Sequence, residues 1–304
     1  MENRKKGIIY ILMSSLFFAL MAAAVKFLGD IPTAEKIFFR NLFGVAAAFM
    51  IIRKRDEGFT GNNIKLLVLR STFGLLGIAA YFYALSQIKL SDTVILNKMS
   101  PFFVVVFAAL FLKEKVSKKQ IIALITAALG AVLVIRPGFE SDIFPALIAL
   151  MSSLFAGIAY TIVRQLRKSD SAAVVVFYFS LFSTIAVTPF MLNGSFVIPN
   201  GVEVLGLLAI GAAATAAQLF MTNAYRYAEA GELSIYTYAN IVFSSLLGLI
   251  FFQEVPDLLT VIGGILIITA GYINYISKKG AAENASNKAA EVGAEKRTKA
   301  ADAG

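Results

Sequence analysis

The sequence predicts an all-α integral membrane protein, with ten transmembrane helices arranged as two inverted five-helix repeats. Three observations carry that expectation. Hydrophobic residues make up 58% of the 304 and charged residues only 15%, with a mean hydropathy of +0.76. That balance makes lipid, not water, the solvent of the fold. Apolar runs recur ten times along the chain, each of about 20 residues, enough for a helix to cross a hydrocarbon core of roughly 30 Å. Finally, Met13-Ser14-Ser15-Leu16-Phe17 returns as Met151-Ser152-Ser153-Leu154-Phe155, and Phe111-Leu112-Lys113-Glu114 is answered by Phe251-Phe252-Gln253-Glu254. Five crossings per copy is an odd number, so the second copy enters from the opposite side, the usual architecture of alternating-access transport.

The first run, 7–28, follows Arg4-Lys5-Lys6 and contains Ala22-Ala23-Ala24, features shared with secretory signals. Nine similar runs come after it, so it reads as a retained first span. Gly29-Asp30-Ile31-Pro32 turns the chain into 34–52, which ends at the charged segment from Arg53 to Gly58. Runs 66–87, 92–112 and 117–135 complete the first copy, with Lys113 to Lys119 between the last two and Arg136-Pro137-Gly138 after them. The second copy is 143–163, 172–192, 203–225, 232–252 and 258–277, connected by Arg167-Lys168-Ser169-Asp170 and Asn193 to Gly201. The division expected is 1–140 for one repeat, 141–277 for the other, and 278–304 for a disordered cytoplasmic tail with too few large apolar residues to bury a core.

The formal charge of +9 would suggest nucleic acid in a soluble protein. Here the cations fall mostly on one side of the predicted spans, from Arg4 and Lys5 through Arg53 to Arg55, Lys113 to Lys119, Arg164 to Lys168, and Lys278-Lys279. The other side holds only Lys26, Lys36, Lys89 and Arg136. This bias is expected to place both termini in the cytoplasm and explains the charge without nucleic acid. Cysteine and histidine are absent, which argues against disulfides, thiolate or imidazole metal sites and a resident cofactor.

Ionisable groups at depth are costly, about 2.5 to 3.5 kcal/mol each on insertion scales, and mark function by default. Arg40, Arg70 and Lys98 qualify. Arg70 stands about one turn inside a span end and is expected to snorkel to the headgroups. Arg40 and Lys98 each lie six residues inside the opposite end of a span, so they reach a shared depth. Lys98 sits in Asn97-Lys98-Met99-Ser100-Pro101, where the proline frees a carbonyl and breaks the helix. A broken polar helix belongs against a cavity, although the N-terminal lean of helical side chains would also let both cations reach the interface. No Asp or Glu occupies mid-span, so the expected cargo brings negative charge.

At the repeat offset Lys98 is replaced by Tyr238 and Arg40 by Phe179. Polar candidates in the second copy are Gln218, Tyr236 and Asn240, and with Tyr81 and Asn97 they are expected to line a cavity or, equally, to make ordinary interhelical hydrogen bonds.

Phe38-Phe39-Arg40, Ser100-Pro101-Phe102-Phe103 and the paired endings Phe111-Leu112-Lys113-Glu114 and Phe251-Phe252-Gln253-Glu254 resemble the EamA family of the drug/metabolite transporter superfamily over roughly residues 7 to 277. The resemblance implies a ten-helix carrier with a central cavity between repeats, moving amino acids or other small metabolites, often outward. It carries Arg40, Pro101, Glu114 and Glu254 onto this chain. The second copy departs from the pattern, with Asn240-Ile241 where a proline is usual. The expectation is therefore a secondary transporter of amino acids or organic anions, whose partners are a small-molecule substrate and the lipid bilayer, with a homodimer left open. An exporter of hydrophobic or cationic compounds and a non-transporting assembly subunit are the alternatives. An intramembrane enzyme is disfavoured, since the chain lacks His, Cys and paired intramembrane carboxylates.

Overall fold

The computed structural model describes residues 2–114, 116–136, 143–227, 233–277 and 280. All the expected spans are helical. In order they are Glu2–Phe27, Thr33–Lys54, Ile64–Gln87, Leu90–Leu112, Lys118–Ile135, Ile143–Leu166, Ala172–Phe190 with a π turn to Ser195, Gly201–Tyr227, Ser234–Phe252 and Leu258–Ser277. Nine of these are long and apolar enough to cross a membrane. The second is long enough too, but Glu35, Lys36, Arg40, Arg53 and Lys54 raise its charge. The tail from 281 lies outside the described residues.

Side chains that can satisfy exposed backbone donors stand at the helix starts. Asn63, Ser117, Ser171 and Asn200 each accept from an N–H in the first turn, and at Ser117 the Gln120 side chain returns the bond to complete a capping box. The fourth and ninth spans end alike. Lys113 and Gln253 take left-handed φ values of 54° and 55°, and the next N–H, of Glu114 or Glu254, donates to the carbonyl six residues back, Ala108 or Gly248. The motif glutamates thus begin at identical stop signals.

The packing is that of two inverted repeats. The first span packs mainly on the eighth and the third on the sixth, contacts that exchange when the repeats are interchanged. The second packs on the seventh and the fourth on the ninth, pairs that map onto themselves. A core of small and branched residues joins them, including Ala22, Ala84, Leu90, Phe102, Ala127, Leu207 and Ile267. Large apolar side chains such as Leu110, Phe111, Ile250 and Phe251 remain exposed at matching places in the two copies, where lipid covers them.

Two spans are interrupted. The fourth span is cut between Asn97 and Ser100, where Lys98 and Met99 leave the helical path before Pro101 restarts it. At the same level the ninth span opens as a 3-10 turn, Ser234–Tyr238, without any proline. Fifth and tenth spans meet backbone to backbone: a Cβ on Gly130 would lie 2.7 Å from the Gly263 carbonyl oxygen, and one on Gly263 would lie 2.6 Å from that of Gly130. Either methyl group would force the helices apart. Gly130→Ala is therefore expected to cost about 1–3 kcal/mol, read as a lower melting temperature of the detergent-solubilised protein, whereas an alanine at Gly58, with open space around it, is expected to leave that temperature unchanged.

Candidate functional site

Arg40 and Arg70 converge on one aromatic ring. Their guanidinium carbons lie 5.8 Å and 3.9 Å from the centroid of Phe179 in the seventh span, the residue that occupies Arg40's place in the second copy. This differs from the snorkelling expected of Arg70. Gly74, one turn further along the third span, is the reason. A Cβ there would sit 2.8 Å from Phe179 Cε2 and 3.3 Å from Arg70 Nη1, so the missing side chain leaves room for the ring and lets Arg70 run toward mid-span, against the usual N-terminal lean. Arg40 donates through Nη1 to Asn41 Oδ1 at 2.8 Å, and Asn41 in turn donates to the Ile37 carbonyl. Arg40 Nε, Arg70 Nε and Arg70 Nη1 are buried and have no acceptor.

The other expected site residues are spread more widely. Asn97 donates to Ser152 Oγ at 3.0 Å and Asn240 to the Ser15 carbonyl at 2.9 Å. Each interrupted span is thereby tied to the duplicated Met-Ser-Ser segment of the opposite repeat. Lys98 is half-buried at the break, and among the described residues its ammonium makes no ion pair and donates no hydrogen bond. Tyr81 packs on the main core, Tyr236 on Ile11, Ala224 and Leu233, and Gln218 is half-buried, its carbonyl accepting from Thr222. No hydrogen bond, ion pair or ring contact among the described residues joins Lys98, Tyr81, Gln218 or Tyr236 to the Phe179 ring.

A pair of charge clips stands at the two ends of the bundle. Glu254 meets Lys26 at 2.7 Å and also accepts from the Leu90 N–H at 2.8 Å, while Lys26 donates to the Ile88 carbonyl at 2.6 Å. On the N-terminal face Glu114 meets Arg164 at 3.0 Å. Lys26 and Arg164 are 138 positions apart, the offset of the Met-Ser-Ser repeat, so the clips are copies of each other. They differ in burial. Lys26 and Glu254 are 14% and 17% exposed, against 47% and 46% for Arg164 and Glu114. Beside the buried clip, Arg136 pairs with Asp257 and, at 3.4 Å, with Asp92, and donates to Thr260 at 2.7 Å, binding fourth, fifth and tenth spans into one closed end. At Asp257 burial pushes the carboxyl up, but the Thr260 N–H with Arg136 and Lys89 outweighs it and holds the group below its usual 3.8. Among the described residues no cluster of His, Cys, Asp or Glu could hold a metal ion.

The EamA-like transporter family model matches residues 5–136 and 143–276. A pseudopaline exporter, CntI of Pseudomonas aeruginosa, is 35% identical over 279 residues, 91% of this chain and 98% of that one. Human solute carrier family 35 member G1 is 27% identical over 90% of this chain and 79% of its own, and a riboflavin transporter of Brucella anthropi 26% over 83% and 92%. One solved crystal structure superposes with a TM-score of 0.63 at 19% identity, covering 90% of this chain and 97% of its own, a likeness of fold.

Glu254→Gln leaves Lys26 without its charge partner and is expected to cost about 3 kcal/mol of stability, as for a broken buried pair. Glu114→Gln is expected to cost less than about 1 kcal/mol; thermal melts of the two proteins compare them. Because the folded-state value of Asp257 is lowered, its contribution is complete above about pH 4 and disappears as pH falls through that lowered value. Melting temperature measured from pH 7 downward is expected to drop less steeply at the acid end in Asp257→Asn.

Proposed function

The chain belongs to the EamA-like transporter family, and on that premise we propose that it is a secondary transporter of small organic anions or zwitterions, amino acids among them, working by alternating access. One observation carries the sign of the cargo. Arg40, Arg70 and Lys98 lie within the spans, and among the described residues no acid pairs with any of them. A cationic compound would ordinarily be met by an intramembrane carboxylate, whereas a carboxylate cargo supplies the missing charge. Relatives named for pseudopaline export and riboflavin transport support a small organic cargo.

In this reading Arg40 and Lys98 hold the negative group, Tyr81, Gln218 and Tyr236 offer polar and aromatic contacts, and Asn97 and Asn240 position the two broken spans that flank the path. Repeat symmetry supplies two states of comparable energy, in each of which one clip is buried and the other exposed. The buried Lys26–Glu254 end corresponds to the shut side of the present conformation. In this reading both termini are cytoplasmic, on the ground of the cation bias, and the membrane is the plasma membrane, on the ground of that bias and the family together; the shut side then faces out.

Flux into proteoliposomes tests the proposal. Arg40→Ala and Lys98→Ala are each expected to lower organic-acid transport by about tenfold or more, the equivalent of one lost charge-assisted contact. Undiminished flux in both variants, or competition by cationic compounds alone, rejects an anionic cargo.

A further inference from the structure

Two arginines with no counter-ion share one ring within the spans. Stacking on Phe179 offers attraction to the face of a guanidinium, but it satisfies none of the in-plane N–H groups, and three of these are left without an acceptor. Such buried donors are costly when unmade, and the two positive charges repel each other in a medium of low dielectric constant. Packing alone does not explain the arrangement: a leucine or methionine at position 70 would fill the same space without either penalty. The Tyr160 hydroxyl of the sixth span is within electrostatic reach of both arginines, and no carboxylate of the described residues pairs with them. Gly74 holds the group open by giving Phe179 and Arg70 the volume a side chain would take.

We propose that Arg40, Arg70 and Phe179 form a binding site for a dianionic organic solute, with Arg70 a second anion contact alongside Arg40. Every feature of the site fits this ligand. Donors are present without acceptors, the two arginines carry a charge of +2 that no acid among the described residues pairs with, and both guanidinium groups already lie against one ring, 5.8 Å and 3.9 Å from its centroid, which lowers the ordering cost of binding. A monoanion would neutralise half of this charge and leave some of the donors unmade. Two carboxylates, or one doubly ionised phosphate ester, would complete it. The inference rests on the anion-transport reading and narrows it to a substrate class.

Binding and flux are read separately on the full chain. Purified protein is titrated by calorimetry with succinate, glycerol 3-phosphate and acetate as probes. Succinate or glycerol 3-phosphate is expected to bind at least about tenfold more tightly than acetate, and whichever dianion binds tighter identifies the carboxylate or phosphate source. Arg70→Gln is expected to abolish that preference. The same variant without ligand is expected to melt no lower than the parent, because an uncompensated charge has been removed; a residue serving only structure would lower it. Phe179→Leu keeps both charges and loses the ring, and several-fold weaker dianion binding is expected there even if Arg70→Gln does not fold. Equal affinity for acetate and both dianions, or dianion binding indifferent to Arg70 and Phe179, overturns the site. Arg70-dependent dianion binding in a chain that moves no organic acid leaves the site standing and removes the transport reading. Anion flux that ignores Arg70 does the reverse.

Discussion

Hydrocarbon offers no hydrogen bonds, so each span must close its own backbone as a helix and each charge must be settled by another part of the chain. At the ends of the bundle the settlement is ionic: Lys26 with Glu254, Arg136 with Asp92 and Asp257, Arg164 with Glu114. These contacts cross between repeats or between neighbouring spans, and so decide which helices stay together at each face. Toward the middle there is no such settlement for Arg40, Arg70 or Lys98. The contrast between paired ends and unpaired depth organises everything else described, from the interrupted helices to the small residues that make room beside them.

Much of the fold was legible before any coordinates. Hydropathy located the spans because a lipid-facing helix cannot hide its composition, and the recurrence of Met-Ser-Ser and of the Glu endings exposed the duplication. Pro101 announced the break in the fourth span. The matching break in the ninth was hidden, since a 3-10 turn there needs no proline and is held instead by Tyr238 packed where Gly271 lacks a side chain. The candidate site was legible only in part. Arg40 and Lys98 stood out by depth, but Arg70 looked like an interfacial residue, and only the absence of a Cβ four positions later turns it inward. Glycine at that offset is a signal the sequence contained, though it becomes readable only once Phe179 is known to face it. The Lys26–Glu254 clip was equally present as a basic residue and an acid recurring at the repeat offsets.

The two copies have kept one backbone while their side chains have parted. Left-handed stops at Lys113 and Gln253, exposed aromatic pairs and both clips are retained. Arg40 against Phe179 and Lys98 against Tyr238 are not. Symmetry is thus preserved in the stop signals and clips at the ends of the bundle, and abandoned at the deep positions that, in the proposed reading, hold an asymmetric solute. The stacking of Arg40 on its own counterpart shows the point directly, for the duplicated position provides a charge from one copy and its aromatic platform from the other.

Gly130 and Gly263 bring the fifth and tenth helices within backbone contact, with Val134 and Ile267 packed beside the crossing. Two main chains that close cannot part or slide without losing that fit. In the proposed transport cycle these two helices therefore move as one body, and any bending of the bundle falls at looser contacts elsewhere.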